Sequence, residues 1–229
     1  DAVETVVLGE DGVLEGIGEG DVLIDMSTIS PVATEVLAED VAEAGASMLD
    51  APISGGEEGA INATLSIMVG GDEDVFDDQY DLFEAMGTTI TYCGETGAGQ
   101  VTKAANQIMV GMQMQAMGEA LLLASRAGAD LEAVLDAISG GAAGCWALDN
   151  RAHRVIQGNF EPGFFSSYHY KDLRIATAAG EEYGSPMPAT GVVHEMFKAM
   201  EEKGYGRDDH SGVIQILEDM VDAKARVDE

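Results

Sequence analysis

Three polar side chains of one stretch, Gly97–Gln107 (GAGQVTKAANQ), have the types and spacing for carbonyl chemistry. Lys103, Asn106 and Gln107 stand at positions i, i+3 and i+4, which places them on one face if the stretch is helical. A lysine can deliver a proton to a carbonyl oxygen, and neighbouring amides can position the reacting groups. The spacing alone leaves another interpretation open, in which Lys103 is an ordinary solvated lysine.

A second stretch has the composition of an anion site. Ser54 precedes Gly55 and Gly56, whose backbone can approach a ligand closely because neither residue has a side chain. Successive N–H groups in such a turn can form an anion-binding concavity, and a small carboxylate would fit it. A plain Gly-Gly turn is the alternative.

Lysine is scarce in this chain, with five residues at 103, 171, 198, 203 and 224. Where the composition holds so few lysines, one beside a glycine-rich stretch (Lys103) and another near aromatic residues (Lys171) are candidates for a site. For Lys171 and its acidic neighbour, simple surface charge is the alternative. The two cysteines and four histidines lack metal-ligand spacing, so we expect no metal site.

The charge is strongly acidic: 42 Asp and Glu residues against 11 Lys and Arg residues give a formal net charge of −31. A hydrophobic content of 46% nevertheless predicts a folded chain rather than a disordered one. We therefore expect a halophilic, cytoplasmic protein, because counterions at high salt screen the repulsion. Nucleic-acid binding is disfavoured, since the acidic chain would repel phosphates. The sequence contains no run of about 18 apolar residues, so it predicts no membrane span.

Residues 1–93 alternate between helical and strand patterns, which predicts an α/β layer with largely parallel strands. The expected strands are Asp21–Met26, Ser47–Ala51, Thr64–Val69 and Thr88–Tyr92, and the expected helices are Pro31–Ala44 and Asp74–Met86. Ser30 is the predicted N-cap of the helix that begins at Pro31. Loops such as Ser27–Thr28 then lie at the carboxyl edge of the sheet, where ligands bind in open α/β folds.

From Gly94 onward helical periodicity dominates and predicts an all-α domain. The expected helices are Gln100–Ala127, Leu131–Ile138, Trp146–Gln157, Tyr170–Glu182, Ala189–Lys203 and His210–Val227. The first of them is long enough to join the domains. We therefore predict an α/β domain over residues 1–95 and a helical domain over residues 96–229.

Taken together, these stretches resemble the β-hydroxyacid dehydrogenases, the group of 3-hydroxyisobutyrate dehydrogenase and tartronate semialdehyde (2-hydroxy-3-oxopropionate) reductase. The matching segments follow the family's order: DMSTISP (25–31), DAPISGGEEGA (50–60), TLSIMVGG (64–71), GAGQVTKAANQ (97–107), NFEPGF (159–164) and KDL (171–173). The resemblance implies the C-terminal part of a Rossmann-type dinucleotide-binding domain, a long interdomain helix and an all-α domain. It also implies a homodimer or homotetramer with NAD or NADP as the cofactor.

The resemblance assigns roles to particular residues. Lys103 would be the general acid in reduction and the general base in oxidation of a small 3-hydroxy acid and its semialdehyde. The residues that would bind or position the substrate are Ser54, Gly55, Gly56, Asn106 and Gln107. Thr28 and Lys171 would flank the nicotinamide end of the cofactor. The related 6-phosphogluconate dehydrogenases are disfavoured, because their His-Asn pair after the lysine is Ala105-Asn106 here.

Two departures from the family accompany this match. Ala63 stands where the family usually has glycine. The family's glycine-rich cofactor loop, with about three strands, would precede the first residue, so we interpret the chain as the C-terminal two-thirds of such an enzyme, and the choice between NAD and NADP stays open. The alternative function is a non-catalytic oligomerisation module that has lost cofactor binding.

Overall fold

The computed structural model describes residues 2–227 and divides them into two compact units. The first unit contains the residues up to Asn106 together with Ala178–Gly184, and the second contains Gln107–Thr177 and the residues from Ser185 onward. The chain crosses between the units three times, within α6 (Ala98–Arg126), within α9 (Ser166–Glu182) and shortly after α9. The domain division after residue 95, at the change from alternating to helical structure, remains our proposal.

The first unit has the mixed helix and strand content expected from the sequence. Its elements are α1 (Ala2–Leu8), β1 (Val22–Asp25), α2 (Pro31–Glu43), β2 (Ser47–Asp50), β3 (Ile53–Ser54), α3 (Gly56–Ile61), β4 (Leu65–Gly70), α4 (Glu73–Asp78), α5 (Tyr80–Glu84), β5 (Gly87–Gly94) and the start of α6 (Ala98–Arg126). The four expected strands are present within one or two residues. The two-residue β3 and the short α3 were not expected, and the acidic helix predicted over residues 74–86 is two helices, α4 and α5.

The five strands form one sheet in which β1 pairs parallel with β2, and β4 pairs parallel with β5. The strands β2 and β3 both pair antiparallel with β4, through Asp50 opposite Gly70 and Ile53 opposite Ile67. The Met68 N–H also donates to the Pro52 carbonyl at 3.1 Å. Residues 47–54 therefore run along one edge of β4 and carry Ser54 to the end of that edge.

The helix α2 begins as its sequence predicts. The Ser30 hydroxyl accepts the Ala33 N–H at 3.4 Å, and Pro31 is the first helical residue. Leu37 and Val41 of this helix are buried in a core cluster beneath it. Further along, Ala63 has a φ of 53°, which is a left-handed conformation that favours glycine and explains the family's usual residue there.

The second unit is helical. After the remainder of α6 its elements are α7 (Leu131–Ser139), a π-helical segment (Leu148–Ala152), α8 (His153–Ile156), the main part of α9 (Ser166–Glu182), α10 (Pro188–Glu202), a 3-10 turn (His210–Val213) and α11 (Ile214–Val221). Its buried core includes Met114, Leu121, Leu135, Phe197 and Ile214. Within residues 2–227 no helix combines the length and apolar character that crossing a membrane requires.

The helices of the second unit differ from the predicted ones most clearly at three places. The segment expected to be one helix over residues 146–157 contains a π-helical stretch before α8, and α9 begins at Ser166 rather than Tyr170. The last helix ends at Val221 instead of continuing to Val227. There Asp222 turns left-handed, and the buried Glu218 carboxylate accepts the Ala225 N–H at 2.9 Å, which draws the tail out of the helical path.

Candidate active site

A buried carboxylate fixes the start of the long helix α6. Asp50, at the end of β2, is fully buried, and its two oxygens accept the Gly97 N–H at 2.8 Å and the Gln100 N–H at 2.9 Å. These are N–H groups of the kind that helix starts leave without partners. Burial raises the pKa of the Asp50 carboxyl, and the main-chain hydrogen bonds oppose that rise.

The loop after β1 is tied to the same helix start. The Gln100 side chain, which is 1% exposed, donates to the Ser27 carbonyl at 2.8 Å and accepts the Ile29 N–H at 3.1 Å. These two bonds bracket Thr28, the residue expected at the cofactor. Thr28 is thus held at the carboxyl end of β1 and is half-buried.

Close packing brings the first turn of α6 against the sheet. A Cβ added at Gly99 would lie 2.6 Å from the Asp50 carbonyl oxygen, so only glycine allows this approach. Lys103 follows one turn later and is 6% exposed. The interpretation of Lys103 as an ordinary solvated lysine is therefore wrong.

The Ser54–Gly56 turn has the backbone that its glycines predict. Gly55 has a φ of 136° and Gly56 a φ of 63°, both in the range that residues with side chains rarely adopt. Both glycines are exposed, whereas Ser54 is half-buried at the end of β3. The turn therefore exposes main chain rather than side chains to the solvent.

In the second unit an acidic residue links two of the predicted site residues. The Gln107 side-chain amide donates to Asp172 Oδ2 at 2.7 Å, and Lys171 Nζ lies 3.1 Å from Asp172 Oδ1. Gln107 and Asp172 are 3% and 2% exposed. Lys171 lies in the second turn of α9 rather than at its start, and Asn106 is half-buried on α6.

Sequence reasoning missed three residues of this arrangement: Asp50, Gln100 and Asp172. Each lies inside a stretch already singled out, namely DAPISGGEEGA, GAGQVTKAANQ and KDL. Apart from Lys171, which adjoins Asp172, their partners are 47 to 73 positions away in the chain, so no local pattern indicated their roles. Residues 2–227 contain no group of three or more His, Cys, Asp or Glu side chains that could hold a metal ion.

A sheet with a polar carboxyl edge, a buried lysine on the adjoining helix and a separate helical unit fit the resemblance to dinucleotide-dependent oxidoreductases. Two family models match: the NAD-binding domain of 6-phosphogluconate dehydrogenase over residues 1–94, and the NAD-binding model of NADP-dependent 3-hydroxyisobutyrate dehydrogenase over residues 97–217. These matches cover nearly the whole chain.

Individual relatives agree with the family models. The chain is 44% identical to the 2-hydroxy-3-oxopropionate reductase of Escherichia coli K12 across 97% of this chain and 76% of that protein. It is 35% identical to the mitochondrial 3-hydroxyisobutyrate dehydrogenase of Mus musculus across 94% and 66%. The crystal structure of 3-hydroxyisobutyrate dehydrogenase from Salmonella typhimurium superposes with a TM-score of 0.83 at 30% identity, covering 94% and 75%. The chain belongs to the β-hydroxyacid dehydrogenase family of NAD(P)-dependent oxidoreductases.

The residues at the end of β1 fit the nicotinamide end of such a cofactor. Asp25 Oδ1 accepts the Ser27 N–H at 2.9 Å, whereas Asp25 Oδ2 is buried without a hydrogen-bond partner within residues 2–227. Burying a hydrogen-bond acceptor without a donor lowers the stability of the fold, so such an atom is suited to accept a hydrogen bond from a ligand. The Asp25 carboxylate and the loop with Thr28 are therefore the part of this chain suited to hold the polar nicotinamide group.

Proposed function

We propose that this protein interconverts a small 3-hydroxy acid and its semialdehyde, of the 3-hydroxyisobutyrate or tartronate semialdehyde type, with Lys103 as the general acid and base. One observation carries the proposal: Lys103 is the only lysine or arginine among the first 106 residues, and it is buried. Burying a charged amine is expensive. A chain this acidic would not retain one buried cation there without a use for it.

The chemistry explains why a lysine suits the reaction. The bound nicotinamide supplies or accepts a hydride. In the reductive direction Lys103 donates a proton to the carbonyl oxygen as negative charge develops on it, and in the oxidative direction it takes the hydroxyl proton. Positioned proton transfer of this kind is worth roughly a hundred- to ten-thousand-fold in rate.

The other predicted residues receive binding roles. The main chain of Gly55 and Gly56, with the Ser54 hydroxyl, holds the substrate carboxylate, and the amides of Asn106 and Gln107 position the substrate. Thr28 and Lys171 contact the nicotinamide end of NAD or NADP. The name of the 44%-identical relative favours a 2-hydroxy-3-oxo acid among the candidate substrates. We also propose a homodimer or homotetramer.

The test is oxidation of NADH and NADPH by the protein in molar KCl against a panel of semialdehyde acids. We expect Lys103→Ala to lower kcat roughly a hundred- to ten-thousand-fold. A small primary amine added to this variant should restore part of the rate. Lys198→Ala is the matched control, because Lys198 is exposed and its only described ion pair, with Glu195 at 3.5 Å, is a surface contact.

Two results would contradict the proposed function. Wild-type rates in Lys103→Ala would remove Lys103 from the chemistry. A folded protein that turns over no substrate with either cofactor would favour the non-catalytic oligomerisation module instead.

A further inference from the structure

Two buried histidines of the second unit form a pair that the proposed chemistry does not use. His169 on α9 and His210 in the 3-10 turn are 0% and 3% exposed, and their Nδ1 atoms lie 2.9 Å apart. The other ring nitrogen of His169, Nε2, lies 3.0 Å from the Gln107 carbonyl oxygen. The histidine pair therefore contacts Gln107, which we assign to substrate positioning.

With both rings neutral, the geometry determines which nitrogen of each ring carries the hydrogen. A carbonyl oxygen only accepts, so His169 Nε2 carries a hydrogen and donates it to Gln107. In a neutral imidazole the other nitrogen is then an acceptor, so His210 Nδ1 carries the hydrogen between the two rings. His210 Nε2 then carries no hydrogen. This nitrogen is buried and has no hydrogen-bond partner within residues 2–227.

Burial and the neighbouring His169 lower the pKa of His210 to about 3. The charged groups around His210 are Asp209, 4.0 Å from Nε2, and Arg151, which pairs with Asp209 at 3.1 Å. With a pKa this low, His210 is neutral throughout the neutral range. The order of donors and acceptors is therefore set by the fold.

The helix α9 holds Gln107 at two points. His169 donates to its carbonyl oxygen, and Asp172, one turn further along α9, accepts from its side-chain amide. Gly111 makes room for the first contact, because a Cβ there would lie 3.1 Å from His169 Nε2. The ring of Phe197, 4.7 Å from that of His169, packs against its face.

We propose that His169 and His210 are positioning residues, which fix the main chain of Gln107 so that its amide and the Asp172–Lys171 pair keep their places. The proposal rests on the function proposed above. His169 orients Gln107 directly, and His210 orients His169. Neither histidine donates a proton to the substrate.

Nitrogen-15 NMR of the histidine-labelled protein tests the pair without any turnover. We expect His169 as the Nε2–H tautomer and His210 as the Nδ1–H tautomer, with His210 not titrating between about pH 8 and about pH 5. A His210 that carries its proton on Nε2, or that titrates near its ordinary pKa of about 6.5, would overturn the proposal. This result stands even if no substrate is ever found.

Two substitutions of His169 each retain one of its two hydrogen bonds. Gln can present an N–H where Nε2 stands and so keep the contact with the Gln107 carbonyl, whereas Asn can present an acceptor where Nδ1 stands and so keep only the contact with His210. We expect His169→Asn to raise the KM of the hydroxy acid up to about tenfold with kcat changed less than about threefold, the scale of one hydrogen bond. His169→Gln should restore most of that affinity.

A purely structural role predicts a different pattern. Both variants would then lose thermal stability and active fraction alike, which lowers kcat and leaves KM unchanged, and that result would overturn the proposal. Lys103→Ala serves as the reference for a variant in which kcat falls because the proton donor is missing. If the wild type itself shows no turnover, the proposed function has failed, and the NMR measurement decides the histidine pair alone.

Discussion

The two units position their polar residues by different means. In the first unit the partners are main-chain groups: Asp50 and Gln100 bind peptide N–H and C=O groups, and Gly99 admits close contact with the sheet. In the second unit side chains also bind one another, as in the contacts from Gln107 to Asp172 and from His169 to His210. Main-chain partners tolerate changes in neighbouring residue types, whereas paired side chains must be matched to each other.

The charged residues are distributed unevenly along the chain. The first 106 residues hold 23 of the 42 acidic residues but one of the 11 basic ones, and the remaining residues hold 19 acidic and ten basic ones. The second unit accordingly forms ion pairs, such as Arg151–Asp209 and Lys203–Asp219. The acidic stretch before Lys103 has no lysine or arginine with which to neutralise itself, so it depends more on counterions from the solvent.

The largest effect that we predict follows from this imbalance. Lowering the salt concentration from molar KCl should unfold the first unit before the second, because less screening leaves its like charges to repel one another. The loss would approach the roughly 5–15 kcal/mol that holds a typical domain together. Hydrogen exchange followed by mass spectrometry at falling salt measures it. Equal loss of protection in both units would contradict the charge argument.

A single methyl group should test the main-chain contacts of the first unit. Gly99→Ala places a Cβ 2.6 Å from the Asp50 carbonyl oxygen, and we expect it to lower the free energy of unfolding by about 3 kcal/mol. In the control, Gly191→Ala on α10, the new Cβ meets nothing within 4 Å. That variant should stabilise the protein by about 0.5–1 kcal/mol. Chemical denaturation in molar KCl compares the two, and equal effects would show that α6 does not need the close approach.

Local patterns predicted much of this molecule. The N-cap at Ser30, the four main strands and the helix that carries Lys103 follow from periodicity and capping rules that involve neighbours in sequence. The start of α9 did not follow, because Ser166 is held by contacts to Tyr205 and Asp208, about 40 positions away. Asp50, Asp172 and the histidine pair were missed for the same reason. A periodic pattern cannot show which distant residue a buried polar group will meet.

The smallest effect concerns protonation in the side-chain network of the second unit. The pKa of His210 is lowered to about 3 in the fold by burial and by His169, whereas an unfolded histidine titrates near about 6.5. The unfolded chain therefore binds more protons in this range, so the stability that the neutral ring contributes is complete above about pH 6.5 and is lost as the pH falls. Between about pH 7 and about pH 5 the loss should be about 2 kcal/mol.

His210→Asn isolates this contribution, because Asn keeps an N–H toward His169 but cannot take up a proton. We expect the stability of the wild type relative to this variant to fall by about 2 kcal/mol over that pH interval. Denaturant titrations at each pH provide the values. A constant difference would mean that the pKa of His210 is the same in the folded and the unfolded chain, so that His210 takes up its proton within the fold as the pH falls through about 6.5. The donor order of the pair would then be lost, and the second unit would not hold Gln107 through a neutral network.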